Sequence, residues 1–255
     1  MPNEESYLRS ISDVLATVIM TGVLIGLLTI TLAYSYLVGY QNTYKAEYLY
    51  YRQLMLSLAT NIYYVLNGGE YTVTYPSSTM SLGYRVAGFI RVYVNSSSNP
   101  SADIPCYTIS AASYSLPSTG STYIYGGLNP VVNDTRFIPS VREFYENNSA
   151  RIELDTCRVY AGVQATFDRL GSFYYFNLMV VSLNPVLSPG GGFAEVYAST
   201  STQSFFSNVY NLTIVLRNPA SPTTLVLGPR DIYSQYTGGP VTVSLTVINV
   251  TVVIH

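Results

Sequence analysis

Val14–Val38 reads VLATVIMTGVLIGLLTITLAYSYLV, with no ionisable side chain other than tyrosine. About 20 apolar residues cross a bilayer core, so the stretch is long enough to span one. A removable secretory signal has an apolar region of only about 7 to 15 residues, followed by a small-residue cleavage site. Here Tyr34, Tyr36 and Tyr40 close the run with aromatic rings instead. On hydropathy alone an ordinary single-pass anchor fits equally well. The positive-inside count does not orient the segment, because Glu4, Glu5, Arg9 and Asp13 precede it and Lys45 and Arg52 follow.

The helical pattern continues past the apolar run. Residues 41–66, QNTYKAEYLYYRQLMLSLATNIYYVL, contain neither Pro nor Gly, and the first stop signal is Gly68-Gly69. With Ser12 or Asp13 as the N-cap, the sequence predicts one helix over residues 13–66, on the order of 80 Å long at 1.5 Å per residue. Its distal half is apolar on nearly every face. Tyr44, Tyr48, Tyr51, Met55, Leu58, Ile62 and Leu66 lie on one side, and Leu49, Leu54, Leu56, Tyr63 and Tyr64 on others. A helix apolar all round is buried all round. One domain covers one side, and neighbouring helices are expected on the rest, with Leu54 and Leu58 as assembly contacts.

After Gly69 the periodicity changes to alternation. Strands are expected at 71–75, 84–94, 106–109, 150–155, 157–167, 172–183, 193–200, 211–218, 223–228 and 241–254, rich in Val, Ile, Thr and Tyr and punctuated by Gly, Pro, Ser and Asn. The fold class is therefore α+β: a long N-terminal hydrophobic helix followed by a mainly antiparallel β-sandwich domain. The expected divisions are a leader-like polar segment at 1–10, the helix at 11–67 and an extracellular β-rich domain at 68–255. SLNPVLSPGGG makes residues 184–192 the best internal boundary. The last strand becomes apolar on both faces, which places it centrally in a sheet rather than at an exposed edge, or else donates it to a neighbouring subunit.

Cys106 and Cys157 are the only cysteines. Two thiols do not make a tetrahedral zinc site, and in an extracellular strand-rich domain a disulfide is the natural pairing, with two buried free thiols as the alternative. N-x-[ST] sequons stand at Asn95, Asn133, Asn147, Asn211 and Asn249. Asn249, inside the final apolar strand, is the weakest of them. A glycan coat would supply the hydration that scarce charges do not, and the sequons and cysteines together place the body outside the cell.

Composition excludes several classes. Charged residues are only 10% of the 255, the net charge is −2, and Tyr occurs 26 times. No basic field exists to hold nucleic acid. His255 is the sole histidine and Lys45 the sole lysine, so His-based triads, His metal sites and Schiff-base chemistry find no residues. Gly190-Gly191-Gly192 lacks a phosphate-loop lysine and reads as a turn. Glu143 with Glu146 and Glu153 with Asp155 resemble a glycosidase pair only by proximity, and a solvated edge is the expected reading. No enzyme activity and no cofactor are expected.

The segment Arg9-Ser10-Ile11-Ser12-Asp13-Val14-Leu15-Ala16-Thr17-Val18-Ile19 resembles the N-terminus of archaeal type IV pilins. The resemblance covers about the first 35 residues. It implies that Met1–Ser10 is a leader removed by a prepilin-type signal peptidase and that Ile11 begins the mature chain, although Ser10 stands where the family usually has Gly or Ala. It further implies a membrane-inserted precursor, extraction by pilus assembly machinery, and polymerisation with itself or other pilins through the apolar helix. Asp13 would pair with the new α-amino group during assembly, or simply cap the helix. Low Lys with high Tyr and Val suits a thermophilic archaeon. The expected function is a structural subunit of a surface filament serving adhesion or cell-cell contact. The rival is an uncleaved single-pass membrane-anchored surface glycoprotein with a partner-binding β domain.

Overall fold

The computed structural model describes residues 4–75, 80–113, 120–127, 129–132, 137–168, 171–188, 192–217 and 224–255, without the side chains of 4–14, 87, 167, 168 and 171. The chain divides into two units, Met1–Ala46 and Glu47–His255. Helix α1 covers Glu4–Leu66. It begins well ahead of the expected cap, so Ser12 and Asp13 lie inside the helix and neither caps it. The cause is local: residues 4–13 hold no Pro or Gly and include the helix formers Glu, Leu and Arg. The C-terminus falls where the glycines put it. Gly68 takes φ 89°, and Gly68 N–H bonds to Val65 O at 3.0 Å and Gly69 N–H to Tyr64 O at 3.3 Å. These two bonds make a Schellman motif that satisfies the last carbonyls.

In the first unit every large apolar side chain from Leu15 to Tyr40 is exposed. A window of this helix reaches a mean hydropathy of 2.3 with none of it buried, and the helix is long and apolar enough to cross a membrane. Its hydroxyls do not oppose that. Thr21, Thr29 and Thr31 each donate to the carbonyl four residues back, at 2.7, 2.8 and 2.7 Å, so these three hydroxyls are satisfied within the helix.

The second unit holds the last turns of α1 and two sheets. The strands are β1 (Glu70–Thr74), β2 (Ser81–Val94), β3 (Ala102–Ser113), β4 (Thr122–Tyr125), β5 (Val131–Val132), β6 (Ser140–Glu146), β7 (Ser149–Asp155), β8 (Val159–Asp168), β9 (Gly171–Leu187), β10 (Phe193–Val209), β11 (Leu212–Arg217), β12 (Leu225–Leu227) and β13 (Val241–Ile254), with a short helix α2 (Pro229–Ile232) before β13. One sheet runs β1-β10-β13-β9-β8-β5 and the other β12-β11-β2-β3-β7-β6-β4. Pairing is antiparallel except β13 with β9 and β5 with β8. The terminal strand β13 is central, inserted between β10 and β9, as its two apolar faces require. Val241, Val243 and Leu245 enter one core cluster, and Val250, Val252 and Ile254 enter the other.

Both clusters draw on both sheets. The first packs Tyr51, Met55, Leu58 and Ile62 of α1 onto Ile109, Ile152 and Leu154 of one sheet and Leu183 and Val252 of the other. The second joins Ile90, Ile104 and Ile214 to Phe176, Leu178 and Val243.

Further expectations change. Residues 184–187 belong to β9, which pairs with β13 all the way to Leu187–Ile254. Pro185 is tolerated because β8 accompanies β9 only as far as Met179, leaving the Pro185 side unpaired. Residues 189–191 lie outside the described residues. β4, β5 and β6 were not expected, and neither was the extension of β10 through residues 201–209.

Candidate functional surfaces

The second-unit part of α1 is two-faced. Tyr51, Leu54, Met55, Leu58, Ala59, Ile62 and Val65, at steps of three and four, are buried in the domain core. Leu49, Tyr50, Tyr63 and Tyr64 are exposed on the opposite side, with Gln53 and Thr60 among them. Leu54 and Leu58 are therefore core residues of the β-rich unit, not contacts reserved for a neighbour. The helical period alone could not reveal this, because both faces are apolar. Polar ties fix the docking: Arg52 meets Glu143 at 2.9 Å, Ser57 meets the Tyr71 hydroxyl at 2.6 Å, and the Tyr50 hydroxyl donates to Thr74 O at 2.5 Å.

Ser10, Ile11 and Asp13 all lie in the first turns of α1; their side chains are outside the described residues.

Cys106 and Cys157 form a disulfide, with Cα atoms 5.4 Å apart. It ties β3 to the link between β7 and β8, where the chain passes from one sheet to the other. Gly88 lies beside it and makes room for the Arg217 carbonyl. At this bulge opposite Cys106, a Cβ would collide with the Arg217 carbonyl and touch Cys157 Sγ at 3.5 Å.

The sequons occupy unequal settings. Asn95, at φ 56° after β2, and Asn211 are exposed neighbours. Asn95 N–H donates to Asn211 O at 2.7 Å, and Asn211 Nδ2 donates to Ser96 Oγ at 2.9 Å. Asn147 is exposed in a two-residue hairpin with Asn148, at φ 51° and 59°, the left-handed conformation that Asn tolerates in such turns. Asn249 is half-buried in β13, its Nδ2 donating to Thr200 Oγ1 at 2.8 Å. Asn133 lies outside the described residues.

The carboxylates expected at a solvated edge are not all there. Glu153 and Asp155 are buried on β7. Glu153 pairs with Arg85 at 2.7 Å and Arg142 at 2.8 Å. Asp155 accepts from Ser140 Oγ at 2.8 Å and from Cys157 N–H at 2.6 Å. Burial nevertheless pushes its carboxyl above the ordinary range, against the pull of those two bonds and of Arg158. Arg158, itself buried, donates to the carbonyls of Gly126 and Gly127. Each carboxylate is thus held by structural partners. Among the described residues no group of three or more His, Cys, Asp or Glu is placed to hold a metal ion.

No protein-family model, curated protein or solved structure matches the chain.

Proposed function

We propose that the chain is a non-catalytic structural subunit of an extracellular filament of the archaeal type IV pilin kind, made as a membrane-inserted precursor. Its apolar helix would pack against the helices of other copies, and its β-rich domain would form the outer sheath and serve adhesion or cell-cell contact. In this reading the two sheets, which share their core clusters, form a β-sandwich, and glycans on Asn95, Asn147 and Asn211 coat it. The observation that carries the proposal is the unbroken exposure of the apolar side chains from Leu15 to Tyr40. Such a surface needs lipid or other protein around it. The exposed Leu49, Tyr63 and Tyr64 lengthen the apolar surface beyond what a bilayer requires, which favours packing against other copies over a simple anchor.

The experiment is to shear surface appendages from cells of the source organism and identify the N-terminal peptide of this chain by mass spectrometry. A chain beginning at Ile11 in the filament fraction supports the proposal. A chain beginning at Met1 and remaining with the membranes replaces it with the anchored glycoprotein.

A further inference from the structure

The two sheets part on one side of the β-rich unit and leave a cleft of about 530 Å³, inside the range of small-ligand pockets. One wall is β3 from Asp103 to Tyr107. β7 joins β3 only from Thr108 onward, so this edge has no strand beside it. Pro105 lies on it, and its carbonyl accepts from Ser182 Oγ at 3.4 Å.

The floor is built from three adjacent strands. Thr200, Asn249 and Ser182 stand in one row across β10, β13 and β9, and Thr251 and Asn184 begin the next row on the same face. Earlier on β13 this same face carries Val241, Val243 and Leu245 into the core. It changes to amides and hydroxyls where it lines the cleft across from β3. These are not the groups of a fully solvated rim, since Ser182 is 8% and Thr251 5% exposed. Asn249 is held in place by Thr200.

The chemistry of the lining is selective. Asp103 is its one carboxylate, and Arg91 Nε donates to it at 3.1 Å, so the site offers no net charge to an ion. Tyr107 and Val247 add apolar surface. Convergent amides and hydroxyls beside an apolar patch fit a ligand with many hydroxyls and a hydrophobic ring face. We propose that this cleft binds a neutral saccharide, with Asn184, Asn249, Thr200 and Asp103 bonding its hydroxyls. The site is complete in one chain and does not depend on filament assembly. Two sources share this chemistry: glycans carried by other copies of the chain, and saccharides on another surface.

The test uses the full chain, produced in a host without N-glycosylation and dispersed in a zwitterionic, non-glycosidic detergent. It is applied to an array of immobilised glucose, galactose, mannose and N-acetylglucosamine oligosaccharides, and separately to glycopeptides cut from the chain made in its own cells. Binding in either arm is expected, with at least a tenfold loss in Asn184→Ala and Asn249→Leu and none in Phe205→Ser, a control on the exposed part of β10. Thermal unfolding of each variant separates loss of the site from loss of the fold. Binding to the glycopeptides alone assigns the sugar to neighbouring copies. No binding in either arm at concentrations well above about 1 mM, or binding unchanged in folded Asn184→Ala and Asn249→Leu, overturns the proposal.

Discussion

Arg142 and Glu153 stand directly opposite each other on β6 and β7, and Arg142 Nη2 donates to Glu153 Oε2 at 2.8 Å. The Glu153 side chain has no exposed surface, and its other oxygen lies 2.7 Å from Arg85 Nη2. The Arg142 guanidinium also sits 4.1 Å from the centre of the Phe144 ring. A buried carboxylate survives only with such partners, because desolvation costs more than one imperfect contact returns.

Removing Arg142 takes one of two arginine partners from a carboxylate that has no exposed surface, and Arg85 alone then compensates it. Arg142→Met is expected to destabilise the β-rich unit by about 3 kcal/mol, lowering Tm by roughly 6–12 °C. The double variant Arg142→Met/Glu153→Leu should lose less than Arg142→Met alone, since the half-compensated Glu153 carboxylate is gone as well. Denaturant unfolding of the two variants and the parent measures this. An additive double variant would mean that the pair is not coupled.

The disulfide closes a loop with a sequence separation of 51 residues. Replacing both cysteines with alanine should cost about 4 kcal/mol on the chain-entropy account. Gly88→Ala should be harmful even with the disulfide intact, because its Cβ has nowhere to go beside the Arg217 carbonyl. Unfolding with and without reductant separates the two effects: Gly88→Ala should lower stability in both conditions. A Gly88→Ala chain as stable as the parent would contradict the close approach.

Asp155 makes stability depend on pH in an unusual direction. Its carboxyl titrates higher in the folded chain than in the unfolded one because burial disfavours the charge. The folded state therefore binds its proton more tightly. The resulting stabilisation is full below the ordinary carboxylate range and is lost as pH rises through the raised value. Asp155→Asn keeps an acceptor for Cys157 N–H and a donor for Ser140, and it carries no charge. The variant should match the parent in acid and exceed it in stability at neutral pH. A neutral-pH variant less stable than the parent would reverse the sign.

Much of the fold is legible where a single physical demand acts on the residues. β13 is apolar on both faces because its first half faces one core cluster and its second half the other, and that pattern alone places it centrally. Gly68 and Gly69 end α1 where the sequence says. β6 was hidden because SVREFYE buries Arg142 against Glu153, and a charged pair looks the same in sequence whether solvated or buried. The Asn147-Asn148 turn was the signal that could have exposed the β6–β7 hairpin. The far half of β10 reads Ser201-Thr202-Gln203-Ser204 and then sets Phe205 and Phe206 side by side on opposite faces, so no alternation marks it. The cleft was invisible for another reason: its polar rows meet only through the registers of β10, β13 and β9.

The two faces of α1 give the sharpest test of assembly. Leu58 is buried against the sheets, so Leu58→Glu should unfold the β-rich unit by placing a charge in its core, a loss on the order of 4 kcal/mol or more. Leu49 and Tyr63 are 56% and 51% exposed. Leu49→Glu/Tyr63→Glu should leave unfolding of that unit within about 0.5 kcal/mol of the parent per substitution. The same pair of charges would have to be buried between neighbouring helices in a filament, and uncompensated charges there are prohibitive. Cells carrying this double variant should hold normal amounts of folded protein in their membranes and show no filaments by electron microscopy. Filaments of normal number and length from the double variant would show that this face of α1 does not pack against other copies.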